Sequence, residues 1–206
     1  MNPSCTLETI TGKLVDIQNP TVEMIDIESS AWGLSRLPRF CGQTIDYIPY
    51  PVAQHSIFVA KEVGLILDRL ENTEDMLFAD RNQILLRALL HDAAEAFTGD
   101  IPSPVKRIPE LRPIIKEIEG KLQRVILEAF LGEGEYEDNS YEDIIKEADL
   151  IAQKIEAYNF MPSRGKNWAG LPDITPIKLQ QFERPKSSLV VYEEFMEHFD
   201  FYTIGE

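Results

Sequence analysis

The segment His91-Asp92-Ala93-Ala94-Glu95 places three ionisable side chains inside an apolar run. Ile84, Leu85, Leu86, Ala88, Leu89, Leu90, Ala93, Ala94 and Ala96 leave almost no polar face, the pattern of a helix at the centre of a domain. At about 100° per residue, His91, Asp92 and Glu95 fall in one sector roughly 100° wide. Charges in such a place are costly unless a metal or a set of partners satisfies them. His55 shares a stripe with Val52, Val59 and Ile66, and Asp149 shares a face with Ile144, Ile145, Ala148, Ile151, Ala152 and Ile155. The two imidazoles and two carboxylates of His55, His91, Asp92 and Asp149 make a mixed N/O ligand set. It suits Mn, Fe, Co, Ni or Zn better than Ca. A lone histidine on an apolar stripe is more often a hydrogen-bonded core residue. Here, however, two of only three histidines lie on the apolar faces of neighbouring helices. His198 reads as a surface or helix-end residue.

These residues need helices to carry them. Apolar spacing predicts a first helix over Val22–Leu37, a second from Pro51 to about Leu70, and a central one opened by Asp80 with Gln83 and ended by Gly99 and Pro102. A long amphipathic helix follows from about Pro109 to Leu131. Ser140, with Asp143 three residues on, caps the helix that bears Asp149, and a last helix spans about Ser188 to Phe199. Residues 1–20 read as a strand-like lead, and the alternation over Gly42–Pro51 as a small hairpin or extended loop. Residues 163–186 are rich in Gly and Pro and read as irregular. The expectation is an all-α bundle with a minor β-hairpin near the N-terminus. It forms one domain over 1–206, with a core at about 22–162 and a helical extension over 163–206.

Composition narrows the partners. The chain has 206 residues, 44% of them hydrophobic, and a formal charge of −15 from 35 acidic and 20 basic residues. This balance argues against nucleic acid or an anionic membrane as the partner. An anionic substrate would need local cations or metal ions. Cys5 and Cys41 form no CxxC pair, no apolar run approaches a membrane span, and no signal-peptide core is present. A cytoplasmic location is therefore expected. Gly132-Glu133-Gly134 is no phosphate loop, and neither a GxSxG elbow nor an HExxH helix occurs.

The order His55 … His91-Asp92 … Asp149 resembles the H…HD…D signature of the HD-domain metal-dependent phosphohydrolases, an all-α superfamily. HDAAEAFTGDIPSPVK, His91 to Lys106, is similar to the same stretch of bacterial 5′-deoxynucleotidases and phage-type deoxynucleoside triphosphate hydrolases, with Glu95, Asp100, Pro104 and Lys106 at matching offsets. The resemblance covers roughly 22–162. It implies that Glu95 and Asp100 act near the nucleophilic water, that Pro104 and Lys106 contact substrate, and that Arg39-Phe40 is the arginine–aromatic pair before the first ligand. That pair stands about one residue further from His55 than in the family. Phe40 replaces a tryptophan that the deoxynucleotidases associate with the deoxy sugar. Arg36 is an alternative cation. Glu156, with Met161-Pro162 and Trp168 beyond, matches phage-type members and could orient a cation from behind the ligands.

The resemblance implies a divalent transition metal (Co, Mn, Zn, Fe or Ni), with Mg at a second, substrate-linked site as a variant. It also implies a nucleotide substrate and a homo-oligomer. Gly42-Gln43-Thr44 and Val52-Ala53-Gln54-His55 lean towards a triphosphohydrolase acting on a dATP-like substrate. The alternative is a 5′-deoxynucleotidase acting on deoxynucleoside monophosphates. A metal- and nucleotide-binding sensor without turnover is the reading from another class.

Overall fold

The computed structural model describes residues 5–70, 78–134 and 141–204. Two short strands, β1 (Thr6–Glu8) and β2 (Leu14–Asp16), pair antiparallel with Leu7 opposite Val15, and Gly12 at φ +81° turns the chain between them. Eight helices follow among the described residues. They are α1 (Ile27–Arg36), α2 (Val52–Leu70), α3 (Phe78–Leu89), α4 (Glu95–Thr98), α5 (Ser103–Lys106), α6 (Arg112–Leu131), α7 (Glu142–Phe160) and α8 (Ser188–Ile204). The protein is an all-α bundle with one small hairpin, as the sequence predicts. None of these helices is long and apolar enough to cross a membrane.

α2 is the axis of the bundle and packs against α7, α3, α1 and α8. Its stripe of Val52, Ala53, His55, Val59, Ala60, Val63 and Leu67 is fully buried. Ala148, Ala152 and Ala157 on α7 are small and buried, which lets that helix come close. α8 contributes Val191, Phe195 and Tyr202 to the same core, and it continues to Ile204, beyond the expected end at Phe199.

Three boundaries differ from the sequence expectation. The first helix begins at Ile27, because the Asp26 side chain accepts from the Ser29 N–H at 2.7 Å and caps it; Val22–Met24 is a separate 3₁₀ turn. No hairpin forms over 42–51. Ile45, Tyr47 and Ile48 are exposed there, so the alternation has no buried face to serve, and the hairpin lies instead within 6–16. The central helix stops at Leu89, and residues 90–94 form tight turns before α4. The proposed caps by the Asp80 side chain and by Ser140 lie outside the described residues.

Gly33 marks the closest approach between α1 and α4. A Cβ there would lie 3.0 Å from both the Cβ and the carbonyl oxygen of Ala96, which is backbone that cannot step aside cheaply. At Gly120 of α6 a Cβ would meet nothing within 4 Å. Gly33→Ala should therefore destabilise the protein by about 1–3 kcal/mol. Gly120→Ala should stabilise it by about 0.5–1 kcal/mol through helix propensity alone. Urea unfolding of both variants beside the parent checks the opposite signs.

Candidate active site

α2, the turn after α3, and α7 bring His55, His91, Asp92 and Asp149 together. One ligand atom each from His55, His91 and Asp92 lies within 4.8 Å of the others. Asp149 Oδ1 stands 3.2 Å from His55 Nε2. Asp92 Oδ2 lies 3.6 Å from His55 Nε2 and 3.3 Å from His91 Nε2. Asp149 and Glu156 are seven residues apart on α7 and share the face towards α2.

His91 and Asp92 do not sit on a helix sector as the sequence suggested. From Leu90 to Phe97 the amide bonds are mostly of the i→i−3 kind: Ala93 to Leu90, Glu95 to Asp92, Ala96 to Ala93 and Phe97 to Ala94. The His91 ring takes the Ala88 carbonyl through Nδ1 at 2.8 Å. Gln123 of α6 braces this turn from outside. Its amide donates to the Leu90 carbonyl at 2.7 Å and accepts from the Ala94 N–H at 3.2 Å. The polar groups freed by ending the helix are thereby satisfied.

Both imidazoles are fixed in the same sense. His55 Nδ1 donates to Glu156 Oε1 at 2.7 Å, and His91 Nδ1 donates to a carbonyl, so in each ring the second nitrogen, Nε2, faces the cluster. Both Nε2 atoms are buried and lack a hydrogen-bond partner among the described residues. A nitrogen lone pair aimed at carboxylate oxygens is repulsive unless a cation lies between them. The donor set thus fits a divalent ion, with the second-nitrogen hydrogen bonds typical of metal-binding histidines. Without an ion, the same carboxylates draw a proton onto the imidazoles, the positive charge that a cation would otherwise supply. Burial works hardest against a charged His55 and Arg39 adds to that, yet Glu156 and Asp149 raise its pKa to about 9. Burial also opposes the charged form of His91, and Asp92 turns the balance upwards. Asp92 is held well below the carboxylate range, burial notwithstanding, by His91, His55 and Arg39.

Behind the cluster, Glu156 is 1% exposed and joins two partners: His55 on one oxygen and Arg39 Nε, at 3.2 Å, on the other. Arg39 Nη1 also approaches Asp92 Oδ2 at 3.6 Å. The backbone holds Arg39 there, since its N–H donates to Tyr50 O and the Val52 N–H donates to Leu37 O, next to the start of α2. Phe40 and Cys41 follow at φ 56° and 53°, a left-handed conformation that non-glycine residues adopt at a cost. Phe40 faces Trp168 with ring centroids 5.5 Å apart. Arg36 lies elsewhere, stacked on Trp32 at 4.2 Å. Arg39, not Arg36, is the arginine at the cluster.

Glu95 opens α4 and is 6% exposed; its Oε1 lies 3.4 Å from Lys106 of α5. Burial, reinforced by Asp92 and Asp100, raises its pKa to about 8 against the pull of Lys106 and Arg39. Lys106 also reaches Glu119 of α6 at 3.0 Å. Asp100 lies near enough to act on the charges of both Glu95 and Arg39. Pro104 is exposed in the first turn of α5. Sequence reasoning missed Glu119 and Gln123. Both lie on a long helix whose pattern gave only an amphipathic face, and no motif marks them.

The chain belongs to the family described as 5′-deoxynucleotidase YfbR-like, an HD-domain family, which matches residues 34–199. It is 36% identical over 102 residues to an uncharacterised protein of Rhodobacter capsulatus, covering 47% of this chain and 44% of that one. It is 31% identical over 124 residues to YfdR of Escherichia coli, covering 60% of this chain and 57% of that one. A 5′-deoxynucleotidase of Vibrio parahaemolyticus is 29% identical over 154 residues, covering 67% of this chain and 76% of its own length. The chain thus spans about half the length of the first two relatives.

The pKa shifts set a sign for stability. His55 goes from an ordinary value of 6.5 to about 9, so its contribution is full below 6.5 and is lost as pH rises through 9. Glu95, raised from 4.5 to about 8, loses its contribution over that interval in the same direction. After chelation of metal, the unfolding temperature should fall between pH 6.5 and 9, with a shallower fall in Glu95→Gln. Glu156→Ala, which strands Arg39 in the interior, should cost about 3–5 kcal/mol. Glu117→Ala, at an exposed pair with Lys121, should leave the midpoint unchanged. Calorimetric melts of the metal-free proteins check all of these.

Proposed function

We propose that this protein is a metal-dependent 5′-deoxynucleotidase, releasing inorganic phosphate and a nucleoside from deoxynucleoside monophosphates. The paired orphan nitrogens of His55 and His91, turned towards the carboxylates of Asp92 and Asp149, carry the reading. These four residues would hold the ion. A divalent ion so held polarises a phosphoryl oxygen and acidifies water. Co, Mn, Zn, Fe and Ni all suit two imidazoles and two carboxylates, and Mg would suit a second position filled chiefly by substrate oxygens.

Glu95 takes a proton from the attacking water. Its Oε2 is buried and unpartnered among the described residues, and a carboxyl titrating near neutrality is matched to that task. Asp100 helps to keep that pKa high. Arg39, held by Glu156, balances charge at Asp92 and at an incoming phosphoryl group. Phe40, with Trp168 against it, provides a wall for the sugar; Pro104 lies in the first turn of the short helix that delivers Lys106.

The sequence leaned towards a triphosphohydrolase. The names of the family and of several relatives, among them 5′-deoxynucleotidases of Vibrio parahaemolyticus and Pasteurella multocida, favour the monophosphate alternative instead. A nucleotide sensor without turnover has no comparable support, because it leaves the buried Glu95, with one oxygen unpartnered among the described residues, without a task. The protein acts as a single domain over 1–206, on a small-molecule substrate, and as a homo-oligomer in the cytoplasm.

With a panel of nucleotides and a metal series, the products should be phosphate and nucleoside; tripolyphosphate would overturn the assignment. Asp92→Ala should lose bound metal and turnover together. Glu95→Gln should keep the metal while kcat drops by about 10²–10⁴. Because the base must be ionised, kcat should rise with pH through a half-maximum near pH 8 and level off about a unit above it. Glu95→Gln should abolish that rise.

A further inference from the structure

The two cations that sequence motifs put forward for phosphate are both already engaged. Arg39 is shared between Glu156 and Asp92, and Lys106 between Glu95 and Glu119. In a chain of charge −15, an approaching phosphate dianion therefore meets few uncommitted positive groups. Beside the cluster is a cleft of about 410 Å³, walled on one side by His91, Asp92, Glu95 and Lys106 and on the other by α6. Arg112, Lys116, Glu119 and Gln123 all line it from α6, at spacings of four, three and four that keep them on one face. Gln123 braces the metal-bearing turn and Glu119 holds Lys106, whereas Arg112 and Lys116 are exposed and show no ion pair or side-chain hydrogen bond among the described residues.

We infer that Arg112 and Lys116 form the phosphate-capture rim of this cleft, drawing a phosphate dianion from solvent towards the metal centre and holding it during entry and release. This rests on the phosphohydrolase reading above but concerns residues that no motif marks. The side chains are long and solvated, so they act through the local field and not through a fixed bidentate grip. Their effect falls on capture and is screened by salt, with a Debye length near 10 Å at about 0.1 M. The α6 stripe is then graded, with neutral support at Gln123, a salt-bridged carboxylate at Glu119 and free cations at its N-terminal end.

The test uses the full chain loaded with Mn²⁺, comparing wild type, the double variant Arg112→Gln/Lys116→Gln, and the control Lys121→Gln. Lys121 is an exposed lysine paired with Glu117 and is not among the residues lining the cleft. Two quantities are read: kcat/KM for a deoxynucleoside monophosphate across a salt series, and binding of inorganic phosphate by calorimetry. The double variant should lose about tenfold in kcat/KM at low salt, converge on wild type at high salt, and bind phosphate correspondingly more weakly, while Lys121→Gln matches wild type. A double variant with wild-type kcat/KM, salt slope and phosphate affinity overturns the inference. If wild type hydrolyses no monophosphate yet binds phosphate, and the double variant loses that binding, the capture rim stands and the proposed reaction falls. Absence of phosphate binding in wild type overturns the rim outright.

Discussion

The buried carboxylate of Glu156 is the interaction on which the site depends. It is 1% exposed and bonded on one oxygen to His55 of α2 and on the other to Arg39 of the turn before α2. Burying a carboxylate is expensive, and two cationic or donor partners with good geometry are what make it tolerable. The arrangement fixes three things at once. It sets the His55 tautomer so that Nε2 points to the cluster, it anchors Arg39 beside Asp92, and it ties α7 to α2. Because Asp149 lies on the same face of α7, the contact that orients the first histidine also sets the depth of the fourth ligand candidate.

A second constraint is the break in the central helix. A continuous helix through 91–95 would have kept its carbonyls in i→i−4 bonds. The chain instead tightens into 3₁₀-like turns, and the His91 ring takes up the Ala88 carbonyl. α6 supplies the Gln123 amide to the Leu90 carbonyl and Ala94 N–H, so a segment with poor internal hydrogen bonding still presents two adjacent side chains in fixed positions. Such bracing holds the side chains of a candidate site in place where a regular helix would have turned them apart.

Charge around the cluster is sorted by environment, in a protein that is acidic as a whole. Among the described residues, Asp92, Asp149 and Glu156 each face a cationic or imidazole group, whereas Glu95 offers one oxygen to Lys106 and keeps the other buried without a hydrogen-bond partner. Its environment holds its pKa up to about 8 where that of Asp92 is driven down. Two carboxylates three residues apart thereby take opposite characters, one held ionised and one holding its proton up to about pH 8.

The sequence by itself determined the residue types and the helices that carry them. Apolar periodicity located α2, α7 and the long α6 to within a few residues, and the conflict between charge and burial singled out His55, His91, Asp92 and Asp149. Such signals are local, since period and cap chemistry are written in neighbouring residues. Only the tertiary structure decided which polar group meets which. That Glu156 bridges Arg39 and His55, and that Gln123 and Glu119 reach back from α6, are contacts between residues 13 to 117 positions apart. No short-range pattern encodes them, because they follow from how the helices pack. The helix break at His91 belongs to the same class. Ala and Leu favour helix locally, and the turn exists because the His91 ring and the Gln123 amide satisfy backbone groups that a lone segment would have left bare.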